Sequence, residues 1–386
     1  MGKIKIIRAT TVPISLEAFC NGMLKELSEK YEMIALSSPG EEMKTVADRE
    51  GVRTIEVSME RHIAICKDII ALFKLICVFL RERPIMVHSM TPKAGLLCMM
   101  AAWLTRVPVR VHTFTGLVFP TSTGIKRKIL MATDWLTCTC ATHIIPEGEG
   151  VKNDLLRNGI TKKPLKVLGY GNVRGIDMVR FDRRPEVMTL AQEIRKDDVF
   201  TFVFVGRIVR DKGINELCQA MEMLSGIAPA RLLLIGPYED ELDPISLHSK
   251  DIIENNPSVE YLGSKYGDEL LACFAAADCF VFPSYREGFP NTVLEAGAMG
   301  LPSLVTDING SREIISQGEN GFIIPPKDAN ALYKAMLDMI RNKPARERMA
   351  ANARKMIASR FEQGFVRKCL LDFYDEILEP VTCKRY

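Results

Sequence analysis

The chain has 386 residues, of which 47% are hydrophobic and 26% charged, and its net charge is +3. This length allows two domains of ordinary size, and the composition is that of a soluble globular protein. The eleven cysteines have no CxxC spacing, and the nearest pair, Cys138 and Cys140, has no histidine partners. This excludes a zinc site at that pair and predicts reduced thiols in the cores.

The first half of the sequence alternates apolar runs with helical patterns, which predicts a parallel, doubly wound sheet. Its predicted strands are 4–7, 33–37, 53–57, 85–88, 109–112 and 143–145, and one helical stretch between them is 16–30. Charged residues interrupt the first run, so we expect a strand there and no signal peptide.

The segment 63–80 is the one that resembles a membrane span. It contains Lys67, Asp68 and Lys74, whose burial in hydrocarbon would be costly, so we exclude a transmembrane helix. The remaining expectation is an amphipathic helix that packs on the sheet.

Positive charge is concentrated in the first half. Residues 1–180 hold 26 Lys and Arg against 17 Asp and Glu, whereas the remaining 206 residues hold 25 against 31. The densest basic run is 126–128. Such a distribution fits an acceptor that bears phosphate or an anionic membrane surface, and an ordinary solvated surface fits it equally well.

The alternation restarts in the second half, with predicted strands at 200–205, 231–235, 259–262, 279–282, 303–306 and 321–324. Between the halves, Gly169, Gly171 and Gly175 lack the spacing of a dinucleotide-binding fingerprint. Gly171 and Asn172 instead suit a sharp change of chain direction, so we expect the domain boundary near them.

Two cations follow the first strand of the second half. Arg207 and Lys212 flank the turn between that strand and a predicted helix at 214–224. Cations are disfavoured at the positive end of a helix dipole, so we expect an anionic group to compensate them. A guanidinium and an amine at this spacing can both reach one diphosphate, and the plainer alternative is two surface cations.

A later strand, loop and helix carry two carboxylates. Glu287 lies in the loop after strand 279–282, and Glu295 lies on a helix that begins at about Asn291. The backbone N–H groups and the dipole at a helix start favour phosphate, whereas carboxylates suit sugar hydroxyls. The segment therefore predicts a ligand with phosphate between hydroxyl-rich rings, as in a nucleotide-sugar.

These residues resemble the motifs of a known family. Glu287 and Glu295, with seven residues between them, resemble the E-x7-E motif of retaining GT-B glycosyltransferases of the family 4 type. The stretch from Gly206 and Arg207 to Lys212 and Gly213 resembles that family's G-R-x-x-x-x-K-G signature. Both motifs stand in the family's order, and the similarity extends over nearly the whole chain.

The resemblance implies the α/β GT-B fold, with two Rossmann-like doubly wound domains facing a central cleft. The implied acceptor-binding domain is 1–172, the donor-binding domain is 173–361, and a terminal helix at about 362–386 packs back on the first domain. In the family, Arg207, Lys212 and Glu287 would be catalytic. The implied donor-binding residues are Gly206, Gly288, Phe289, Pro290, Asn291, Thr292 and Glu295.

The first domain departs from the family pattern at one loop. The family usually has a histidine directly before a glycine there, whereas here Thr115 precedes Gly116 and His112 lies three residues earlier. His112 is either a contact of the donor or a core histidine satisfied by hydrogen bonds. Candidate contacts of the sugar or the acceptor are His112, Thr115, Gly116 and Ser15.

By resemblance we expect retaining transfer of a hexosyl or N-acetylhexosaminyl group from a nucleotide-diphosphate sugar, most simply a UDP-sugar, without a metal or other cofactor. The segment 91–97 resembles bacterial capsule and O-antigen transferases, which implies a saccharide acceptor on polyprenyl diphosphate. We therefore expect a cytoplasmic protein, peripheral on the inner face of the membrane, without nucleic-acid partners. The alternatives are a GT-B-like nucleotide-sugar epimerase or phosphorylase and a catalytically silent GT-B partner protein.

Overall fold

Two parallel six-stranded sheets, each flanked by helices, form the centres of two separate units. The computed structural model describes residues 3–62, 64–239 and 243–383. Unit 1 comprises residues 1–175 and 364–386, and unit 2 comprises residues 176–363. The sequence had placed the corresponding boundaries after residues 172 and 361. The α/β class with two doubly wound sheets is confirmed.

The sheet of unit 1 has the strand order β3-β2-β1-β4-β5-β6, with all neighbours parallel. Its strands are β1 (Lys5–Ala9), β2 (Glu32–Ser37), β3 (Arg53–Glu56), β4 (Met86–Ser89), β5 (Val109–Phe114) and β6 (His143–Pro146). Apolar side chains are buried on both faces of this sheet, which is why its central strands read as nearly continuous apolar runs.

Within the described residues, seven helices connect or follow these strands: α1 (Pro13–Cys20), α2 (Met23–Lys30), α3 (Glu41–Glu50), α4 (Ile65–Glu82), α5 (Pro92–Leu104), α6 (Gly124–Cys140) and α7 (Glu149–Arg157). A short 3-10 helix at Phe119–Thr121 precedes α6. The helical stretch expected over 16–30 is divided between two helices, α1 and α2. Gly22 has φ of 71°, a left-handed conformation that ends one helix and starts the next.

The sheet of unit 2 has the strand order β12-β11-β10-β7-β8-β9, again parallel throughout. Its strands are β7 (Phe200–Val205), β8 (Ala230–Ile235), β9 (Val259–Gly263), β10 (Cys279–Phe282), β11 (Ser303–Thr306) and β12 (Gly321–Ile324). Four of them have the bounds that the sequence predicted. Because β10 pairs directly with β7, the loops after these two strands meet at one edge of the sheet.

The helices of unit 2 are α8 (Pro185–Ile194), α9 (Ile214–Leu224), α10 (Leu247–Asn255), α11 (Gly267–Ala276), α12 (Asn291–Ala298), α13 (Ser311–Ile314), α14 (Ala329–Arg341) and α15 (Lys343–Phe361), with a 3-10 helix at Arg210–Lys212. Helix α9 has the predicted bounds. Among the described residues of both units, none of the helices combines the length and the hydropathy needed to cross a bilayer.

The last helix, α16 (Gln363–Cys383), packs into unit 1. Tyr374 is fully buried there, and its hydroxyl lies 2.6 Å from Nδ1 of His88. The other ring nitrogen of His88 lies 2.7 Å from the Thr113 hydroxyl. Burial raises the pKa of Tyr374 to about 12 and lowers the pKa of His88, so both groups are neutral and share a buried hydrogen bond.

We predict that Tyr374→Phe destabilises the protein by about 1–3 kcal/mol, because it leaves one ring nitrogen of a buried histidine without its partner. The measurement is the free energy of unfolding in urea. Tyr333→Phe is the control, because Tyr333 is a partly buried tyrosine that packs against the core of unit 2. A Tyr374→Phe variant as stable as the unaltered protein would show that the Tyr374 hydroxyl contributes nothing.

Candidate functional site

The stretch after β7 is shaped by a close approach of two backbones. It leaves the strand at Gly206, forms the 3-10 helix Arg210–Lys212, and enters α9 through Gly213, whose φ is 73°. A Cβ atom on Gly213 would lie 2.1 Å from the carbonyl oxygen of Pro283. Only glycine permits this contact, which places Lys212 beside the loop that follows β10.

Lys212 and Glu287 form an ion pair in this position, between Nζ and Oε1. Both side chains are largely buried, with 14% and 16% of their surfaces exposed. The buried Ser284 hydroxyl also donates to Oε1 of Glu287, at 2.8 Å, and the Lys212 amine lies 5.3 Å from the centre of the Phe282 ring. Two residues that are 75 positions apart in sequence therefore share one partly desolvated pocket.

Arg207 has its own carboxylate partner. Its guanidinium donates to Oε2 of Glu239 at 2.6 Å, and both side chains are partly exposed. Partial desolvation opposes the charge of Arg207, but the hydrogen bond to Glu239 and the nearby Asp211 and Glu287 together raise its pKa. From the sequence we expected a negative charge near these cations. The protein itself supplies part of that charge, through Glu239 and Glu287.

Helix α12 begins at Asn291, directly after the loop that holds Glu287. Its N-cap residue, Pro290, provides no side-chain hydrogen bond, so the first-turn N–H groups are not capped by that residue. Thr292 lies in the same first turn. Glu295 lies one turn further along the helix and is 8% exposed.

The loop from Glu287 to Pro290 packs against Gly310 and Phe361. Gly310 has φ of 73°, and a Cβ atom there would lie 2.5 Å from the carbonyl oxygen of Gly288. Phe289 is 6% exposed and packs edge-to-face on Phe361, with ring centres 5.4 Å apart. The Phe289 side chain therefore anchors the loop in the core of unit 2.

The sequence missed several residues that position this site. The Asp211 carbonyl accepts from the Tyr285 amide at 2.8 Å and from the Ser284 hydroxyl at 3.2 Å, and its side chain accepts from Arg286 at 3.1 Å. Asp243 accepts from the Asp211 amide at 2.7 Å. These contacts join segments that are distant in sequence, so local patterns do not predict them. The only hint in the sequence was the turn residues around the two motifs.

His112 in unit 1 is buried and hydrogen-bonded, which agrees with the second of its two expected roles, that of a core histidine. It is 1% exposed, accepts or donates at Nδ1 with the Ser89 hydroxyl at 2.9 Å, and packs edge-to-face on Phe114. Its ring also fills the space beside Gly95, where a Cβ atom would lie 2.3 Å from Cε1. Burial lowers the pKa of His112 to about 3, so the ring is neutral and faces the protein interior.

The other three candidates of unit 1 are at least partly accessible. The Thr115 hydroxyl donates to the Met90 carbonyl at 3.3 Å, and Gly116 follows with φ of 140°. Ser15 lies in the first turn of α1 and is half-buried.

Among the described residues, no group of three or more His, Cys, Asp or Glu side chains is arranged to hold a metal ion.

Comparison with known proteins places these observations in a family. The family described as "Glycosyl transferases group 1" matches residues 189–356, and the family "Glycosyl transferase 4-like domain" matches residues 17–171. The capsular polysaccharide biosynthesis glycosyltransferase CapM of Staphylococcus aureus is 32% identical over 97% of this chain and 98% of its own length. The UDP-Gal:alpha-D-GlcNAc-diphosphoundecaprenol alpha-1,3-galactosyltransferase of Escherichia coli is 26% identical over 78% of each chain.

Among solved structures, Anabaena HepE in complex with UDP superimposes with a TM-score of 0.81 at 16% sequence identity, covering 97% of this chain and 100% of that one. At this identity the likeness concerns the fold alone. The fold, the two matching family descriptions and the near full-length relative agree with the motif resemblance. The chain belongs to the GT-B glycosyltransferases of the bacterial family 4 type.

Proposed function

We propose that this glycosyltransferase moves a hexosyl or N-acetylhexosaminyl group from a UDP-sugar to a saccharide on polyprenyl diphosphate, with retention of the anomeric configuration. The observation that carries the proposal is the contact of Lys212 with Glu287 beside the start of α12. It puts a cation and a carboxylate together at the loop that leads into the first turn of that helix. The printed names of the relatives, a capsular polysaccharide enzyme and a diphosphoundecaprenol galactosyltransferase, support the acceptor class.

The leaving diphosphate is the group that this site stabilises. Negative charge develops on the oxygen that joined the diphosphate to the sugar as that bond breaks. Arg207 and Lys212 neutralise this charge. The N–H groups at Asn291 and Thr292 add donors at the positive end of the helix dipole. Preplaced donors of this kind are each worth about 2.7–4 kcal/mol in the transition state.

The two carboxylates bind hydroxyl groups at either side of the diphosphate. Glu287, held by Ser284 and Lys212, accepts from hydroxyls of the transferred sugar. Glu295, on the next turn, accepts from the ribose hydroxyls. Because Glu287 also contacts Lys212, the sugar and the diphosphate are positioned by one connected pair of side chains.

In a single displacement, retention requires attack from the face that the diphosphate leaves. In the proposed step the acceptor hydroxyl oxygen bonds to the anomeric carbon as the carbon–oxygen bond to the diphosphate breaks, and the hydroxyl proton passes to a phosphate oxygen. No divalent metal is needed, since the two cations supply the positive charge. An unchanged rate in excess chelator and a product with the anomeric configuration of the donor are the expected results.

We predict that Lys212→Ala and Glu287→Ala each lower turnover by about a hundredfold or more, because each removes a group that acts on the reacting centre. The measurement is sugar transfer from labelled UDP-sugars to a polyprenyl-diphosphate saccharide. Lys343→Ala is the matched control, since Lys343 is an exposed lysine that also pairs with a glutamate in unit 2. Near-normal turnover in both site variants, with folded protein, would contradict the assignment.

We further predict that Glu239→Gln tightens binding of a nucleoside diphosphate by a few-fold. Glu239 holds Arg207 at 2.6 Å, so it competes with the diphosphate for the same guanidinium. The effect is small because partly exposed ion pairs contribute only about 0–1 kcal/mol.

Calorimetric titration with UDP measures the effect of this change. Glu222→Gln is the control, because Glu222 belongs to an exposed pair with His248 in the same unit. Weaker binding in Glu239→Gln would mean that Glu239 supports Arg207 instead of competing for it.

A further inference from the structure

Helix α4 in unit 1 has two apolar faces. Ala71, Leu75 and Phe79 point into the core. A second set of large apolar side chains on the same helix is exposed: Ile65 at 71%, Ile69 at 61%, Ile70 at 56%, Phe73 at 66% and Leu80 at 57%. A helix that only covers a sheet presents polar residues on the side away from the core, so packing on the sheet does not explain this composition.

The exposed apolar residues form one stripe along the helix. Ile65, Ile69, Phe73 and Cys77 are spaced by four residues, and Ile70 and Leu80 lie beside them at steps of three or four. Cys77 is exposed as well. We call these six residues the α4 outer face. The stripe spans most of the 18-residue helix.

Three cations border the α4 outer face on one side. Lys67, Lys74 and Arg81 are seven residues apart, a spacing that puts them on a single edge of a helix. All three side chains are exposed. Lys67 pairs at 2.5 Å with Glu60, which precedes the helix, and Arg81 lies 3.4 Å from the neighbouring Glu82.

The carboxylates of α4 point away from the outer face. Asp68 lies 2.5 Å from Lys93 at the start of α5, and the buried Glu82 lies 2.5 Å from Arg53 of β3. The stripe is therefore apolar with a cationic edge, and the acidic side chains of the helix are used within unit 1.

The neighbouring helices also carry exposed aromatic and basic residues. Helix α5, which packs on α4, ends with Trp103 and Leu104, 56% and 51% exposed. Helix α6, which packs on α5, carries Trp135 at 53% and the basic run at 126–128. Tryptophan and basic residues are the types enriched where proteins contact the headgroup region of a bilayer.

We infer that the α4 outer face docks on an anionic lipid surface, with its apolar side chains among the acyl chains near the headgroups and Lys67, Lys74 and Arg81 against lipid phosphates. Charge complementarity selects this occupant, because apolar insertion and basic attraction together are the two signals that interfacial helices use. The inference extends the proposed function, since an acceptor on a polyprenyl carrier lies in a membrane. Its test needs no donor or acceptor, so its failure is separable from failure of the proposed activity.

The test is cosedimentation of the full chain with vesicles of phosphatidylcholine and of phosphatidylcholine mixed equally with phosphatidylglycerol. We expect binding to the mixed vesicles at low salt, and weaker binding as salt is added. Ile69→Ser with Phe73→Ser should lower the vesicle partition coefficient by about tenfold or more. Replacing Lys67, Lys74 and Arg81 by Gln should lower it by about a hundredfold.

Leu247→Ser with Ile227→Ser is the matched control, because these exposed apolar residues lie in unit 2. It should bind like the unaltered protein. Cys66 and Cys77 are the exposed thiols among the described cysteines, and both lie on α4. Mixed vesicles should therefore slow their reaction with a maleimide, which requires no substitution.

Three results would overturn the inference. They are no binding to mixed vesicles at low salt, equal binding by the α4 variants and the unaltered protein, and unchanged maleimide reaction in the presence of vesicles. A concentration-dependent dimer in solution that Ile69→Ser with Phe73→Ser abolishes would likewise overturn it, because the face would then be covered by a second copy.

Discussion

The backbone contact between Gly213 and Pro283 is the constraint on which the site of unit 2 depends. Strands β7 and β10 are neighbours in the sheet, so the loops at their carboxyl ends begin side by side. The missing side chain of Gly213 then lets the loops touch, which carries Lys212 onto Glu287. A second close approach, Gly236 against the Gly206 carbonyl, fixes the chain just before Arg207. Backbone contacts thus help to place both cations, in addition to the ion pairs of their side chains.

The positive charge of the first half has more than one physical role. Some of it is structural: the Lys163 amine donates to the carbonyls of Cys138, Thr139 and Ala141 at 2.8, 2.8 and 2.6 Å, which caps the end of α6. The edge cations of α4 are exposed, and two of them form ion pairs, Lys67 with Glu60 and Arg81 with Glu82. The excess of positive charge in the sequence therefore does not by itself indicate a binding surface. The structure shows which lysines cap a helix and which border an apolar face.

Local patterns predicted the fold well because each parallel strand is a short apolar run between turn residues. The twelve predicted strands all form, and the two motifs lead to residues that the structure brings together. What the sequence did not supply depends on packing between distant segments. Three features depend on spatial neighbours that sequence periodicity does not reveal. They are the pairing of Arg207 with Glu239, the burial of His112 against Gly95 and the left-handed turn at Gly22.

The most direct test is whether nucleotides raise the unfolding temperature of the protein. It shows whether the loop that contains Arg207 and Lys212 binds a nucleoside diphosphate, and the nucleotides to compare are UDP, GDP, ADP, CMP and NAD. A ligand at a hundredfold excess over its Kd stabilises the folded state by about 2.7 kcal/mol. Our account predicts that UDP raises the unfolding temperature and that Arg207→Ala abolishes the rise. A protein whose unfolding temperature is unchanged by every nucleotide of the panel would contradict it.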